Sequence, residues 1–563
     1  MQPITKYDQD VARIMKDPAL WTEAHLGQKP RWYQEQILRH PHHRIVLRCG
    51  RRLGKCIAGT QRVLNAETGA YETLEDLFKK QRIPMFTLDD AYKIKKDTSF
   101  RIEENGVKPT FRITAKHGSQ VELTGNHPVL TLEGWKEVDL LKVGDAIAVP
   151  KKLAAFGTNT PETRRVKVVG YLTGALKRTR NGDTLQLSTE ESRQEIVNTV
   201  RESGLSIFPK SAQTHFILDK EKEYEQVILD AGNESITKEV FTYDKTSLAI
   251  FLSALYDARG WHYAKRVAEI GFGTRSSKFA RDLKHLLLRF GIDANIIKRM
   301  VHGEDYWQVM IYAKSDVLSF IEQIGIYSIK NYITTREKAE HMTERQASIP
   351  KEIWNHVEKK RLERGMKKHE VTGDRSEKFR KNVGLTEEKA LRYSENLQDA
   401  WLHDLANSDV YWEEITNIES AGEQMTYDVF MPKHHNLIVE DILVHNTWTM
   451  VAHMLWAAFT NLGGAKKNGP VTCLVATPYD SQARLIFDEL RQHIDGNELL
   501  SDSIKTITKN PYYIEFKSGA KIKLFTAGTS AGQSAASMRG QKADYLYLDK
   551  RVIKFVPTYC KVG

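Results

Sequence analysis

At 563 residues the chain is too long for one hydrophobic core, and three or four domains are expected. Its 41% hydrophobic and 28% charged residues with a net charge of +11 describe globular domains biased toward an anionic partner such as nucleic acid. No apolar run approaches the roughly 18 residues of a membrane span and "MQPITKYDQDVARIM" has no signal-type apolar region, so no membrane association and a cytoplasmic location are expected.

Four cysteines, Cys49, Cys56, Cys473 and Cys560, lack metal-ligand spacing and are too few for a disulfide framework, which leaves reduced thiols. Residues 1–55 read as helix, loop and the buried strand "RIVLRC", followed by a phosphate-type loop. From Cys56 to about Pro150, short alternating segments such as "FRITAKHG" and "QVELTGNHPVLTL" are separated by turn residues and predict an all-β region. Between about 165 and 345, amphipathic helices such as "SKFARDLKHLLLRFGI" alternate with strands such as "YWQVMIYA", which predicts a compact α/β domain. Residues 346–404 are very polar and read as a solvated helical linker. The β pattern returns in "EEITNIES", "MTYDVFM" and "HNLIVEDILVHN". After Asn446 come the helix "TWTMVAHMLWAAFTN" and the buried strands "VTCLVATP" and "YLYLD", in the style of the first 55 residues. A possible pair of similar helices is the only internal repetition expected.

The loop "CGRRLGK" ends in Gly54-Lys55, but Cys56 stands where a phosphate loop needs a Ser or Thr hydroxyl for Mg²⁺. Removing residues 56–446 joins Lys55 to Thr447 and yields strand, loop and helix, "RIVLRCGRRLGK-TWTMVAHMLWAAF". Gly54 then lets the backbone approach the phosphates, Lys55 reaches them, Thr447 supplies the metal ligand, and the helix N-terminus faces the anion.

The residues bounding this removable block resemble those of the intein family. The resemblance implies that the Cys56 thiol attacks the Lys55 carbonyl in an N-to-S acyl shift, that the Thr447 hydroxyl then attacks the thioester, and that Asn446 cyclises to release the branch. An O-to-N shift leaves a Lys55–Thr447 amide. By the same resemblance, "LTGNHPVL" supplies Thr124 and His127 to strain and protonate the Lys55–Cys56 amide. Asp428 coordinates the two ends, His435 assists cyclisation, and His445 completes the terminal His-Asn pair. A histidine suits such steps because it exchanges protons near neutrality. Splicing needs no cofactor.

Within the block, "VVGYLTGALKRTRNGD" and "LAIFLSALYDARGWH" resemble the paired helices of LAGLIDADG homing endonucleases, with Gly174 and Ala175 packing near Ser253 and Ala254. The acids that would bind Mg²⁺ are missing: Thr179 and Arg259 stand in their places, with Asp183 and Asp257 displaced. A degenerate endonuclease-like domain is therefore expected, retaining some affinity for DNA; Arg275, Lys278, Arg281, Lys284 and Arg289 are candidates either to track phosphates or to form a solvated helix face.

The flanks resemble the ATPase half of phage terminase large subunits. The resemblance implies that Gln34 reads adenine, that Arg51, Arg52, Gly54, Lys55 and Thr447 cradle ATP, and that Thr447 and Asp549 hold Mg²⁺ once the flanks are joined. It also implies DNA, a portal and a small terminase subunit as partners in an infected cell. Arg539 lies in an Arg-Gly-Gln segment, but Lys550 stands where a catalytic Glu is expected, so ATP binding is expected and sustained hydrolysis is not. The expected fold is multidomain: an all-β Hint splicing domain (56–155 and 405–446), an inserted α/β LAGLIDADG-like domain (160–345), a polar helical linker (346–404), and halves of an α/β P-loop ATPase (1–55 and 447–563). The rival readings are an active site-specific endonuclease and an unspliced P-loop ATPase carrying an insertion.

Overall fold

Strands with one buried face alternate apolar and polar residues, and the segments after Cys56 form a nine-stranded antiparallel sheet on that principle in the computed structural model. The structure describes residues 6–26, 38–39, 56–80, 83–98, 101–180, 182–187, 192–211, 214–217, 222–263, 267–325, 329–342, 349–431, 434, 436–445, 449–461, 469–477, 480–526 and 543–548. Among them no helix is long and apolar enough to cross a membrane. The chain divides into two compact units, one of Lys55–Asn446 and one of Met1–Gly54 with Thr447–Gly563.

The larger unit is organised by one long pairing. Arg101–Ala115 runs antiparallel to Val410–Phe430 along nearly its whole length. Gln120–Thr124 and the short strand Ile57–Ala58 extend the sheet on one side. On the other side lie Ala146–Pro150, Pro128–Thr131, and the hairpin of Asn436–Val439 and Ile442–His445. Ile57, Ile113, Leu123, Val129, Val439 and Val444 share its buried core.

The α/β region is a duplication. Each half starts with a long helix, Thr163–Ala175 or Lys245–Arg259, and continues as hairpin, helix, hairpin, helix. The four strands of each half pair in the same spatial order, first, second, fourth, third. The pair of similar helices expected from the sequence is thus the visible part of a complete structural repeat. The two long helices pack closely because Gly170 and Gly174 have no side chain: a Cβ at Gly170 would meet Ala254 Cβ at 2.7 Å, and one at Gly174 would meet the Leu255 carbonyl at 2.8 Å. Gly170 and Ala258 join Gly174 and Ala254 at this contact.

Two expectations for this unit are corrected. Residues 346–404 are no solvated linker: Ile353–Glu363, Glu387–Leu397 and Ala400–Ala406 enclose their own core of Ile353, Trp354, Val357, Tyr393, Leu397 and Leu402. Each helix carries a narrow apolar stripe at helical spacing, which the surrounding charges conceal in any average over the segment. Nor do Lys278, Arg281, Lys284 and Arg289 form a phosphate track. Lys284 and Arg289 are buried, Arg281 donates to Gln120, and the two exposed cations, Arg275 and Lys278, are paired with Glu304 and Asp282. The helix Ser277–Arg289 carries an apolar stripe into its own domain and turns its polar groups toward the sheet.

The smaller unit centres on Thr472–Thr477, which pairs in parallel with Lys521–Thr526 and with Tyr545–Leu548. Tyr512–Phe516 and Ile504–Lys509 continue the sheet antiparallel. Trp21, Val451, Leu455, Cys473, Val475 and Phe487 belong to its core. Parallel strands covered by helices make this an α/β layer structure. Residues 40–55 and Asp549 lie outside the described residues.

Candidate active site

Cys56 lies at the N-terminal edge of the all-β sheet. Its backbone extends the pairing of Ile57 with Leu123, because the Thr124 N–H donates to the Cys56 carbonyl at 3.0 Å. The Thr124 hydroxyl accepts from the Cys56 N–H at 3.1 Å and donates to the Cys56 carbonyl at 3.2 Å. One side chain therefore grips both peptide groups of the residue whose nitrogen belongs to the Lys55–Cys56 bond.

Thr124 begins a tight turn that the His127 N–H closes onto the Thr124 carbonyl at 2.9 Å. Gly125 leaves room there for the Asp139 carboxylate, which would have to move for a Cβ that falls 2.1 Å from it. His127 is buried, 2% exposed. The strand that leaves this turn pairs Val129 with Val444, next to His445. The two ends of residues 56–446 are thus held by one short turn: Leu123, before it, pairs with Ile57, and Val129, after it, pairs with Val444.

Asp428 approaches from the third direction. Ile57 faces Tyr427 across the ladder, so one step outward sets Cys56 opposite Asp428. Burial of the thiol, with the Asp428 charge, pushes the Cys56 pKa above the ordinary thiol range, while the Lys108 ammonium and hydrogen bonds from Lys108 and Thr426 act in the opposite direction. The sulfur receives Lys108 Nζ at 2.9 Å and Asn105 Nδ2 at 3.0 Å.

The terminal hairpin is fixed separately. Asn436, buried at its start, accepts from the Leu88 N–H at 2.7 Å and donates to the Leu88 carbonyl at 2.8 Å. Glu440 and Asp441 form its two-residue turn with φ of 45° and 60°, a turn whose twist matches that of the strands. Both acids are anchored: Glu440 pairs with Arg62, which also pairs with Asp282, and Asp441 accepts from His285 Nδ1 at 2.9 Å. Burial acts to raise the Asp441 pKa, but His285, with Lys284 and Arg62, holds it below the usual carboxylate value.

Of the residues expected at the reaction centre, Cys56, Thr124, His127 and Asp428 come together in the structure. His435, Asn446 and Thr447 lie outside the described residues, and His445 is described by its backbone pairing with Asn436. Gln34, Arg51, Arg52, Gly54, Lys55 and Asp549, expected to bind nucleotide and Mg²⁺, are also outside them. Sequence reasoning missed Asn105, Lys108 and Asn436. The signal for the first two was the Asn-Gly pair in "ENGVK", a turn dipeptide inside an otherwise alternating strand. One cluster of metal-ligand type occurs among the described residues, His117, Asp293 and Glu413. Lys284 Nζ already lies 3.4 Å from Glu413 and bonds to Ser119, so an ammonium answers its charge.

Comparisons with known proteins find similarities over most of the chain. The replicative DNA helicase DnaB of Synechocystis is 24% identical over 447 residues, covering 70% of this chain and 49% of that protein. Protein RecA of Mycobacterium tuberculosis is 20% identical over 451 residues, covering 70% of this chain and 56% of its own length. The chain spans about half the length of these curated relatives. Among solved structures, a DnaB intein from Synechocystis is similar at 26% identity, with 17% of this chain and 68% of that chain covered and a TM-score of 0.17. Residues 64–446 match the family described as the intein splicing domain. With more than two thirds of its length inside that match and both ends of the block drawn to one turn, this chain belongs to the intein splicing domain family.

Proposed function

We propose that residues 56–446 excise themselves and join Lys55 to Thr447. The observation that carries this reading is the convergence of both ends of the block on the turn from Thr124 to His127. Splicing requires atoms 391 residues apart in sequence to react with one another, and a shared turn removes most of the entropy that would otherwise oppose their meeting. The share of the chain matched by the DnaB and RecA relatives, 70%, is close to the 69% that these 391 of 563 residues occupy.

In this reading the Cys56 sulfur attacks the Lys55 carbonyl, forming a C–S bond as the C–N bond breaks. The proton lost from sulfur is balanced by one gained at the Cys56 nitrogen, delivered by His127 while Thr124 holds that nitrogen. Thr447 then takes the acyl group onto its hydroxyl. Asn446 closes on its own carbonyl with His435 and His445 assisting, and Asp428 faces the sulfur between the two events. The inserted α/β domain is read as a degenerate endonuclease. Support comes from the charge at its helix ends: burial, with the Arg259 and Arg275 cations, lowers the Lys177 pKa, an environment that repels a divalent cation. The joined flanks are read as a terminase-type phosphate loop that binds ATP and Mg²⁺ through Lys55, Thr447 and Asp549.

Mass spectrometry of the expressed chain tests the central claim. The expected products are a ligated chain containing the Lys55–Thr447 bond and an excised segment ending in a succinimide. Intact full-length protein under reducing conditions, with all three reactive groups unmodified, would overturn it.

A further inference from the structure

We propose that Lys108 is a catalytic residue of the first step, its ammonium receiving the negative charge that gathers on Cys56 Sγ as the thiol attacks. The proposal rests on the splicing reading above. It begins with a defect in the sheet. Opposite Tyr427 stands Glu104 and opposite Met425 stands Val107, so the single residue Thr426 faces both Asn105 and Gly106. This is a β-bulge, and Gly106 adopts φ of 72° within it. The Thr426 hydroxyl pins the bulge by donating to the Gly106 carbonyl at 2.8 Å.

The bulge has a chemical result. In a regular strand, residues three apart point to opposite faces, so Asn105 and Lys108 would be separated by the sheet. One inserted residue restores them to the same face, and both side chains reach the same sulfur, at 3.0 and 2.9 Å. Both groups are donors, and a sulfur that is offered two N–H groups is better solvated as thiolate than as thiol. Lys108 is 6% exposed and its nitrogen donates to the Cys56 sulfur, which Asp428 faces from the neighbouring strand with the opposite electrostatic effect. A buried ammonium whose described side-chain partner is a thiol gains its full electrostatic return only when that thiol ionises. No proton passes through Lys108: the thiol proton is matched by the one that the Cys56 nitrogen acquires when the C–N bond breaks.

The test uses the full chain carrying Asn446→Ala and Thr447→Ala, which stops at the thioester, with dithiothreitol cleavage between Lys55 and Cys56 followed from pH 6 to 10. Lys108→Met is expected to slow cleavage at neutral pH by roughly tenfold or more and to move the rate profile upward by about one pH unit or more, as loss of an adjacent opposite charge requires. Lys108→Arg, which keeps the cation, is expected to restore most of the rate and the original profile. A Lys108→Met protein with the parent rate and profile would overturn the proposal, as would loss of cleavage in Lys108→Met and Lys108→Arg alike, which marks a packing role. Absence of thiol-dependent cleavage in the parent at every pH would instead overturn the splicing reading itself.

Discussion

Two regions of the larger unit bury polar groups and use them differently. Around Cys56, the side chains of Thr124, Asn105 and Lys108 are spent on the backbone and sulfur of one residue. Along the helix Ser277–Arg289, Asp282, Lys284, His285 and Arg289 are spent on Arg62, Glu413, Asp441 and the Gly69 carbonyl, all belonging to the sheet region. The first set converges on a bond that can break. The second set locks two domains together, and its histidine stacks flat on Tyr71, with ring centroids 4.1 Å apart, as a fixed joint would. Burial of charge alone therefore does not mark a reaction centre; convergence on a reactive atom does.

The contrast can be broken at either site. Cys56→Ala should have the largest effect, eliminating ligated product and thiol-induced cleavage while leaving the circular dichroism spectrum unchanged. At the joint, Arg62→Met should leave Glu440 without its cation and the buried Asp282 with Lys278 alone, and cost about 3–5 kcal/mol in urea unfolding. Retention of full stability would show that the joint is a passive contact. Thr124→Val, which keeps shape and removes the hydroxyl, should slow thioester formation by roughly ten- to hundredfold, with stability changed far less than in Arg62→Met. Because the Cys56 pKa is raised, most of the thiol is protonated at neutral pH and the thiolate fraction increases with alkalinity. Thioester formation should accordingly accelerate by up to about tenfold per pH unit through pH 7–9, without the plateau of a low-pKa thiol. Arg275→Gln, at the exposed end of the basic series, should change stability by no more than about 0.5 kcal/mol and leave splicing intact.

Several parts of this architecture were legible in the sequence because chemistry restricts them to particular residue types. Cys56, Asn446 and Thr447 bound the block, and Thr124 and His127 sit in a short motif. Lys108 was legible only through the Asn105-Gly106 pair, because strand alternation assigns it to the wrong face and the bulge at Gly106 corrects the assignment. The helical core around Trp354 and Tyr393 was hidden for another reason: a few apolar residues at helical spacing suffice to build it, and Lys, Arg and Glu between them dominate the composition. The duplication in the α/β region is carried by strand order and crossover, properties that unlike sequences share freely. The basic helix was misread because charge on a helix says nothing about which neighbour will cover it.

The register at the edge of the sheet has one more consequence. Pro150 and Val410 face each other across a single ladder position, so everything from residue 151 to 409 leaves and returns through adjacent rungs. A segment attached in this way can be gained or lost by a lineage without altering the path of the remaining strands. Its removal would strip Asp441 of His285 and Glu413 of Lys284, while Arg62 would keep Glu440, so the cost of shortening falls on two buried carboxylates at the sheet.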